Sequence, residues 1–338
     1  VAGLGPDELD QLVRALNGKY IEPGPAGDLH RRSDLLPTGR NLVQFDPRAV
    51  PSPSALRAGE EIARGTLDHY TARHGRHPRS AALIVWGLET SQTQGETVGQ
   101  ILAYAGVRIA PVAGQWDPRI ELIPLAELGR PRIDVTIQIC GFFRDMFPNV
   151  LTLLHEALAL AASADEPDEM NFIRAHARRL FAELRDTGMT EKEAREFALA
   201  RIFGPAAAEY GTTIEQTVER RAWREEAELA AAYCESLKHV YTPGRHGMAM
   251  EPLLQRLLSR VEVVSQVRST RDYEMTDLDH YYAFFGGLAK SVEQASGKKA
   301  LMLVADTVDG GVRTEPLQDA IARGLATRVL NPRWLDAM

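Results

Sequence analysis

The feature that most constrains this chain is a repeated change of hydrophobic period. Short runs that are apolar at nearly every position are each followed by a stretch with apolar residues three and four apart. ALIVW at 82–86 leads into a helical stretch over about 94–104; VRIA (107–110), IELI (120–123) and DVTIQI (134–139) follow. The rhythm resumes with VEVVSQV at 261–267 before a helical stretch over 276–296, and with LMLVA at 301–305 before one over 315–328. A strand that is apolar on both faces must be covered on both faces, which is the condition of a parallel strand between helix layers. The spacing therefore predicts an α/β fold, parallel-sheet layers with strand–helix alternation. From 148 to 238 no strand-like run occurs, and 151–162, 168–186, 190–203, 212–221 and 224–238 carry helical periodicity or strong helix formers. The expected organisation is an irregular N-terminal segment (1–55, helical only at 7–16), an α/β domain (56–150), a helical insert (151–240) and a second α/β portion (241–338).

At 338 residues a chain buries about three quarters of its unfolded surface and tends to divide its core into lobes. With 44% hydrophobic and 25% charged residues, disordered and collagen-like classes are excluded. The longest apolar runs fall far short of the roughly 20 residues that cross a bilayer, so no membrane span is expected. A formal charge of −7 without a long basic tract removes the electrostatic footprint of nucleic-acid binding. The two cysteines, Cys140 and Cys234, lie far apart and argue for a reducing, cytoplasmic setting. The chain starts at Val1 with no apolar leader, the expectation being a piece of a longer polypeptide whose signal peptide is absent or has been cut away. Phosphate-loop, dinucleotide, nucleophile-elbow, zinc-protease and calcium-loop motifs are all missing. Any ATP dependence would have to be supplied by a partner subunit.

Several segments carry groups with chemical potential. WGLETSQTQGET (86–97) leaves a strand and opens a helix, with Trp86, Glu89, Thr90 and Glu96 at the strand end where α/β sheets place ligands. The same residues can also serve only as a helix cap. ICGFFRDMFPN (139–149) offers Phe143 and Phe147 for stacking and Arg144, Asp145 and Asn149 for a polar edge; it also reads as core aromatics beside a local ion pair. RIFGPAAAEYG (201–211) contributes Arg201 and Tyr210, and HVYTPGRHG (239–247) places His246 on a Gly-containing loop that can hold a divalent ion or stay solvated. In 268–292 the polar exit with Arg271, Asp272 and Glu274 is the better candidate. The aromatics after it, behind Thr276 as N-cap, have core spacing. LVADT ends a strand at Asp306. His69, His74 and His77 lie among arginines and form a basic surface.

In order, LLPTGRNLVQFDP (35–47), the tryptophan-to-Gly-Glu loop ending at Glu96, GFFRDMFPN (141–149), EMNFIRAH (169–176), RIFGP with YG (201–211), DLDHYYAFFGGLA (277–289) and NPRW (331–334) resemble the large subunit of the ATP-dependent tetrapyrrole metal chelatases. That family comprises cobaltochelatase and the H subunit of magnesium chelatase, and the likeness is greater on the cobalt side. The family's large subunit is longer at both ends. A His/Asp-rich stretch common after its final strand is replaced here by ADTVDGGVRTEP (305–316), and AAAEYG (206–211) and His155 also depart from its usual pattern.

The resemblance implies a ligase that inserts a divalent metal substrate, Co2+ or alternatively Mg2+, into a tetrapyrrole or corrin-type ring. In it ATP/Mg2+ is consumed by an AAA+-type ATPase subunit working with an adaptor subunit; the alternative is a tetrapyrrole-binding scaffold. Metal insertion removes two pyrrole protons and strips water from the ion, which calls for bases, aromatic walls and arginines for peripheral carboxylates. On this reading Glu96, Glu89, Asp145 and His246 are the catalytic candidates. Trp86, Thr90, Phe143, Arg144, Phe147, Asn149, Arg201, Tyr210 and Arg271 contact the ring, and Glu96, His246 and Asp306 meet the metal.

Overall fold

The computed structural model describes residues 6–26, 35–43, 46–110, 119–221, 223–270 and 272–336. Among them, eight strands make one sheet: β1 (Ser80–Val85), β2 (Asp134–Ile139), β3 (Ile202–Gly204), β4 (His239–Thr242), β5 (Arg245–Ala249), β6 (Val263–Arg268), β7 (Leu301–Asp306) and β8 (Arg313–Pro316). Their spatial order is β8-β7-β6-β1-β2-β3-β4-β5. β7, β6, β1, β2 and β3 run parallel. Antiparallel neighbours, β8 on one side and β4 with β5 on the other, finish the sheet. Every residue of β1, β2 and β6 is buried, the polar side chains of β2 and β6 included.

The chain enters the sheet at β1, builds β2 and β3 to one side, and returns much later to lay β6 against the other side of β1. Strand order reverses at that seam. Doubly wound sheets seat ligands in a crevice at such a reversal, outside the carboxyl ends of the strands, which here are the ends of β1 and β6.

The helix that positions the β1 side is Pro53–His74, capped by Ser52, whose hydroxyl accepts from Ala55 N at 3.2 Å, and closed by Gly75 at φ 71°. It crosses the helix Glu96–Ala105 at glycines on both partners. A Cβ on Gly59 would lie 2.3 Å from the Gly99 carbonyl carbon, and one on Gly99 2.7 Å from the Ala55 oxygen. The two backbones touch because neither carries a side chain there. All ten residues of Glu96–Ala105 are buried. Ile133, just before β2, donates to the Tyr104 carbonyl, so the helix C-terminus sits at the amino ends of the strands and its N-terminus at their carboxyl ends.

The structure corrects several sequence expectations. VRIA and IELI are not members of the parallel layer: Val107–Ala110 and Arg119–Leu122 pair antiparallel with each other, partly exposed, and short apolar runs look alike in either setting. The stretch expected to be wholly helical contains β3, because the helix begun at Thr190 stops at Ala198 and three residues are too few to show a period. HVYTPGRHG is the β4–β5 hairpin rather than a loop. The helix expected over about 94–104 is Glu96–Ala105, and a further helix, Gly87–Thr93, precedes it, the two parted by Gln94 (φ 58°) and Gly95 (φ 98°). Thr276 caps nothing: the helical run begins as a π-turn at Tyr281–Gly286 and continues as Gly287–Ser296. The stretch expected as helix from 315 begins inside β8, the helix starting at Leu317. The N-terminal region holds the helix Pro6–Leu16 and a small parallel pair, Gly24–Pro25 with Asn41–Val43. No helix among the described residues is long and apolar enough to cross a membrane.

Candidate functional site

Trp86 is the first residue beyond β1, extended at φ −93°, ψ 136°, and starts the helix Gly87–Thr93. Its indole Nε1 donates to Gln266 Oε1 on β6 at 3.1 Å, a bond thrown across the seam. The indole packs on Phe284 with ring centroids 4.6 Å apart and stacks on His280 at 5.7 Å. One turn beyond Trp86, the Glu89 carboxylate is buried and accepts from Thr93 Oγ1 at 3.0 Å and Thr97 Oγ1 at 3.2 Å. Thr93 Oγ1 in turn accepts from the Gly95 and Glu96 amides at 3.2 and 3.1 Å. This hydroxyl closes the break between the two helices and ties Glu89 to the turn that presents Glu96. Glu96 is buried at the first position of its helix, where the helix dipole favours an anion. Thr90 is buried beside them, its hydroxyl without a hydrogen-bond partner.

The opposite lip begins at Arg268, the last residue of β6. Its guanidinium donates to Asp306 at the end of β7 and to Glu274, each at 2.8 Å. Tyr273 and Tyr281 lie with ring centroids 6.3 Å apart. Burial raises both phenols above their ordinary value, with further pushes from Asp272 and Glu89 on Tyr273 and from Tyr273, Glu89 and Glu274 on Tyr281, the last opposed by Arg268. Buried carboxylates at the end of β1 and partly exposed aromatics after β6 are groups that can receive protons or meet a cation and stack on a flat apolar ligand.

The crevice gathers Trp86, Glu89, Thr90 and Glu96, and leaves the other candidates elsewhere. Asp306 is enclosed by cations: besides Arg268 it has Arg313 at 3.3 Å and Arg323 at 3.8 Å, and it accepts from Val308 N. Positive neighbours on that scale oppose a divalent ion. His246 lies on β5, four strand spacings of about 4.8 Å from β1, or roughly 19 Å away, exposed and edge-on to Tyr241. Glu96, His246 and Asp306 thus do not share one coordination sphere, and no group of three or more His, Cys, Asp or Glu among the described residues is arranged to hold a metal. Residue types are visible in a sequence; the strand spacings between them are not.

Arg201 sits before β3 at the amino ends of the strands, buried against Asp134 at 2.8 Å, the wrong end for a ligand in the crevice. Phe143 and Phe147 are fully buried and stacked on each other at 5.2 Å, so they are core. Arg144 binds Asp145 at 2.7 Å and the Ala206 and Glu209 carbonyls at 2.6 and 3.1 Å, and lies 5.5 Å over the exposed Tyr210 ring. It straps the 205–211 turn to the helix Gly141–Met146. Asn149 donates to the Pro47 carbonyl at 3.0 Å. Arg271 lies outside the described residues. Gln266, Arg268 and His280 were not singled out by the sequence; the polar end of the otherwise apolar run 261–267 was the available signal for Gln266.

Comparison with known proteins places this architecture. The family model described as CobN/Magnesium Chelatase matches residues 2–338. The chain is 35% identical over 346 residues to the CobN subunit of the aerobic cobaltochelatase of Sinorhizobium, covering 100% of this chain and 27% of that protein. It is 38% identical over 340 residues to the H subunit of the magnesium chelatase of Rhodobacter capsulatus, covering 98% and 27%. The solved catalytic subunit of cobaltochelatase from Mycobacterium tuberculosis superposes with a TM-score of 0.86 at 37% identity over 98% of this chain and 28% of that one. The chain therefore spans about a quarter of the length of these relatives.

Proposed function

The chain belongs to the CobN/magnesium chelatase family, and from that premise we propose that it forms the part of a chelatase large subunit that seats a tetrapyrrole in the crevice between β1 and β6. The observation that carries this reading is the seam itself: Trp86 is bonded to Gln266 across the strand reversal, with the buried Glu89 and Glu96 beside it. The ring lies against the aromatic lips. The two pyrrole N–H protons displaced by the incoming ion pass to Glu89 and Glu96, one to each, and from there to water. Their burial, at 7% and 4% exposure, makes them responsive to a positive charge brought close. The ion is the reaction's substrate.

On this proposal the metal is Co2+, entering hydrogenobyrinic acid a,c-diamide in cobalamin biosynthesis. ATP is hydrolysed by an AAA+-type subunit with an adaptor in a cytoplasmic complex, in keeping with a chain that carries no phosphate loop. Relatives named for magnesium are as similar as those named for cobalt, so insertion of Mg2+ into protoporphyrin IX is the second reading. The test is an absorbance titration of the chain with each metal-free ring in turn. Saturable binding of the corrinoid alone supports the cobalt reading, and binding of protoporphyrin alone the magnesium one; binding of neither defeats both. In the assembled complex with its ATPase partners, Glu89→Gln should keep ring affinity and lose insertion. Insertion at the unaltered rate would remove Glu89 from its proton-accepting role.

A further inference from the structure

The lip opposite Trp86 is an aromatic surface built by residues that follow β6. We propose that Tyr281, with Tyr273 beside it, is a ring-contacting residue that forms the second wall of the crevice; this rests on the reading that the crevice takes a tetrapyrrole. Three observations converge on it. Trp86 packs on Phe284 and His280, which places the π-turn that carries Tyr281 directly against the end of β1. Phe284 is buried, while Tyr281, three residues before it in the same π-turn, keeps part of its surface open. Tyr273 lies 6.3 Å from it, also half-buried.

The wall is held from behind. Arg268 grips Glu274, the residue after Tyr273, at 2.8 Å, the Glu274 amide donates to Asp277 at 2.8 Å, and Arg328 bonds Asp277. A loop fastened at three successive points offers its aromatics with little conformational entropy left to lose on binding. Glu89 is among the charges acting on both phenols, so the carboxylate assigned to proton transfer lies within electrostatic reach of the wall. Tyr282, the neighbour, is turned elsewhere: it is 39% exposed and its surroundings are Asp279, Glu215 and Glu219.

The experiment measures affinity of the full chain for whichever metal-free ring it binds, followed by the shift in the ring's absorption band. Tyr281→Ala should weaken binding about tenfold, the scale of one aromatic stacking contact, and alter the bound spectrum. Tyr281→Phe should keep both, and Tyr282→Ala should behave as the unaltered chain. Tyr273→Ala examines the same wall if Tyr281→Ala does not fold by circular dichroism: a comparable loss supports the proposal and full affinity overturns it. Unaltered affinity in a folded Tyr281→Ala chain overturns the proposal and leaves the chelatase reading standing. Failure of the unaltered chain to bind either ring overturns that reading, and this wall with it.

Discussion

Arg201 and Asp134 hold each other inside the protein at the amino ends of the parallel strands: Nε donates to Oδ1 at 2.8 Å, with the two side chains 1% and 2% exposed. His176 Nδ1 meets the other carboxylate oxygen at 2.9 Å, and Arg201 Nη1 donates to the Ala198 and Ala200 carbonyls, each at 2.9 Å. Burial pushes the Asp134 carboxyl up, but Arg201 and His176 outweigh it and hold the group below its ordinary range. The pair therefore contributes its stability above the unfolded carboxylate's pKa and loses it as pH falls through the lower folded value. Arg201→Ala leaves a buried carboxylate facing a missing partner and should cost about 3–5 kcal/mol, read as a lowered urea midpoint. An unshifted midpoint would refute a structural role for this pair.

The crossing of Pro53–His74 over Glu96–Ala105 admits no side chain at Gly59, where a Cβ would fall 2.3 and 2.4 Å from the Gly99 carbonyl carbon and Gln100 amide. Gly59→Ala should separate the helices and destabilise the chain by about 1–3 kcal/mol or more. Because the second helix carries Glu96 at its start, ring affinity should fall as well. Chemical denaturation checks the first expectation, and titration of the folded fraction the second.

Burial pushes the His155 imidazole below its ordinary 6.5, against a smaller opposing pull from Glu196. A folded value below the unfolded one means that the unfolded chain takes the proton first as pH falls through 6.5. The neutral histidine's contribution is then complete above that pH and shrinks below it. His155→Phe should flatten the decline of melting temperature between about pH 7.5 and 5.5. An equally steep decline in the variant would show that other groups set the slope.

Both cysteines are buried, Cys140 at 7% and Cys234 at 1% exposure. Burial pushes each thiol above its ordinary value, partly offset at Cys140 by amides of Gly87 and Phe143 donating to the sulfur. Thiolate is the reactive form. Iodoacetamide at neutral pH should therefore label the native chain far more slowly than the urea-unfolded chain, with mass spectrometry counting the adducts. Rapid labelling of native Cys140 would mean that the Gly87–Cys140 contact opens.

The central strands could be read from short runs of strand-forming residues, unbroken and apolar in 82–85 and with β-branched residues at four of six positions in 134–139. β3 could not, since three residues carry no period, and the Val107–Ala110 ribbon looked like a sheet member because sequence does not state which partner a strand takes. At the site, Trp86, Glu89, Thr90 and Glu96 were found together because one strand exit carries them all. Arg201 and Asp306 were legible as charged residues but not as ion-paired ones, since their partners Asp134 and Arg268 stand 67 and 38 positions away. Arg144 looked available for a ligand because the carbonyls it holds belong to a turn 62 to 65 positions downstream.

The bond from Trp86 to Gln266 joins positions 180 apart in the chain. Closing so long a span is entropically costly and contributes nothing until the strands between have found their places. The crevice is therefore a late product of folding. A nascent chain emerging from the ribosome through β3 would already carry Trp86, Glu89 and Glu96, yet no facing lip. A chain cut short before β6 would own one half of the crevice and nothing to close it.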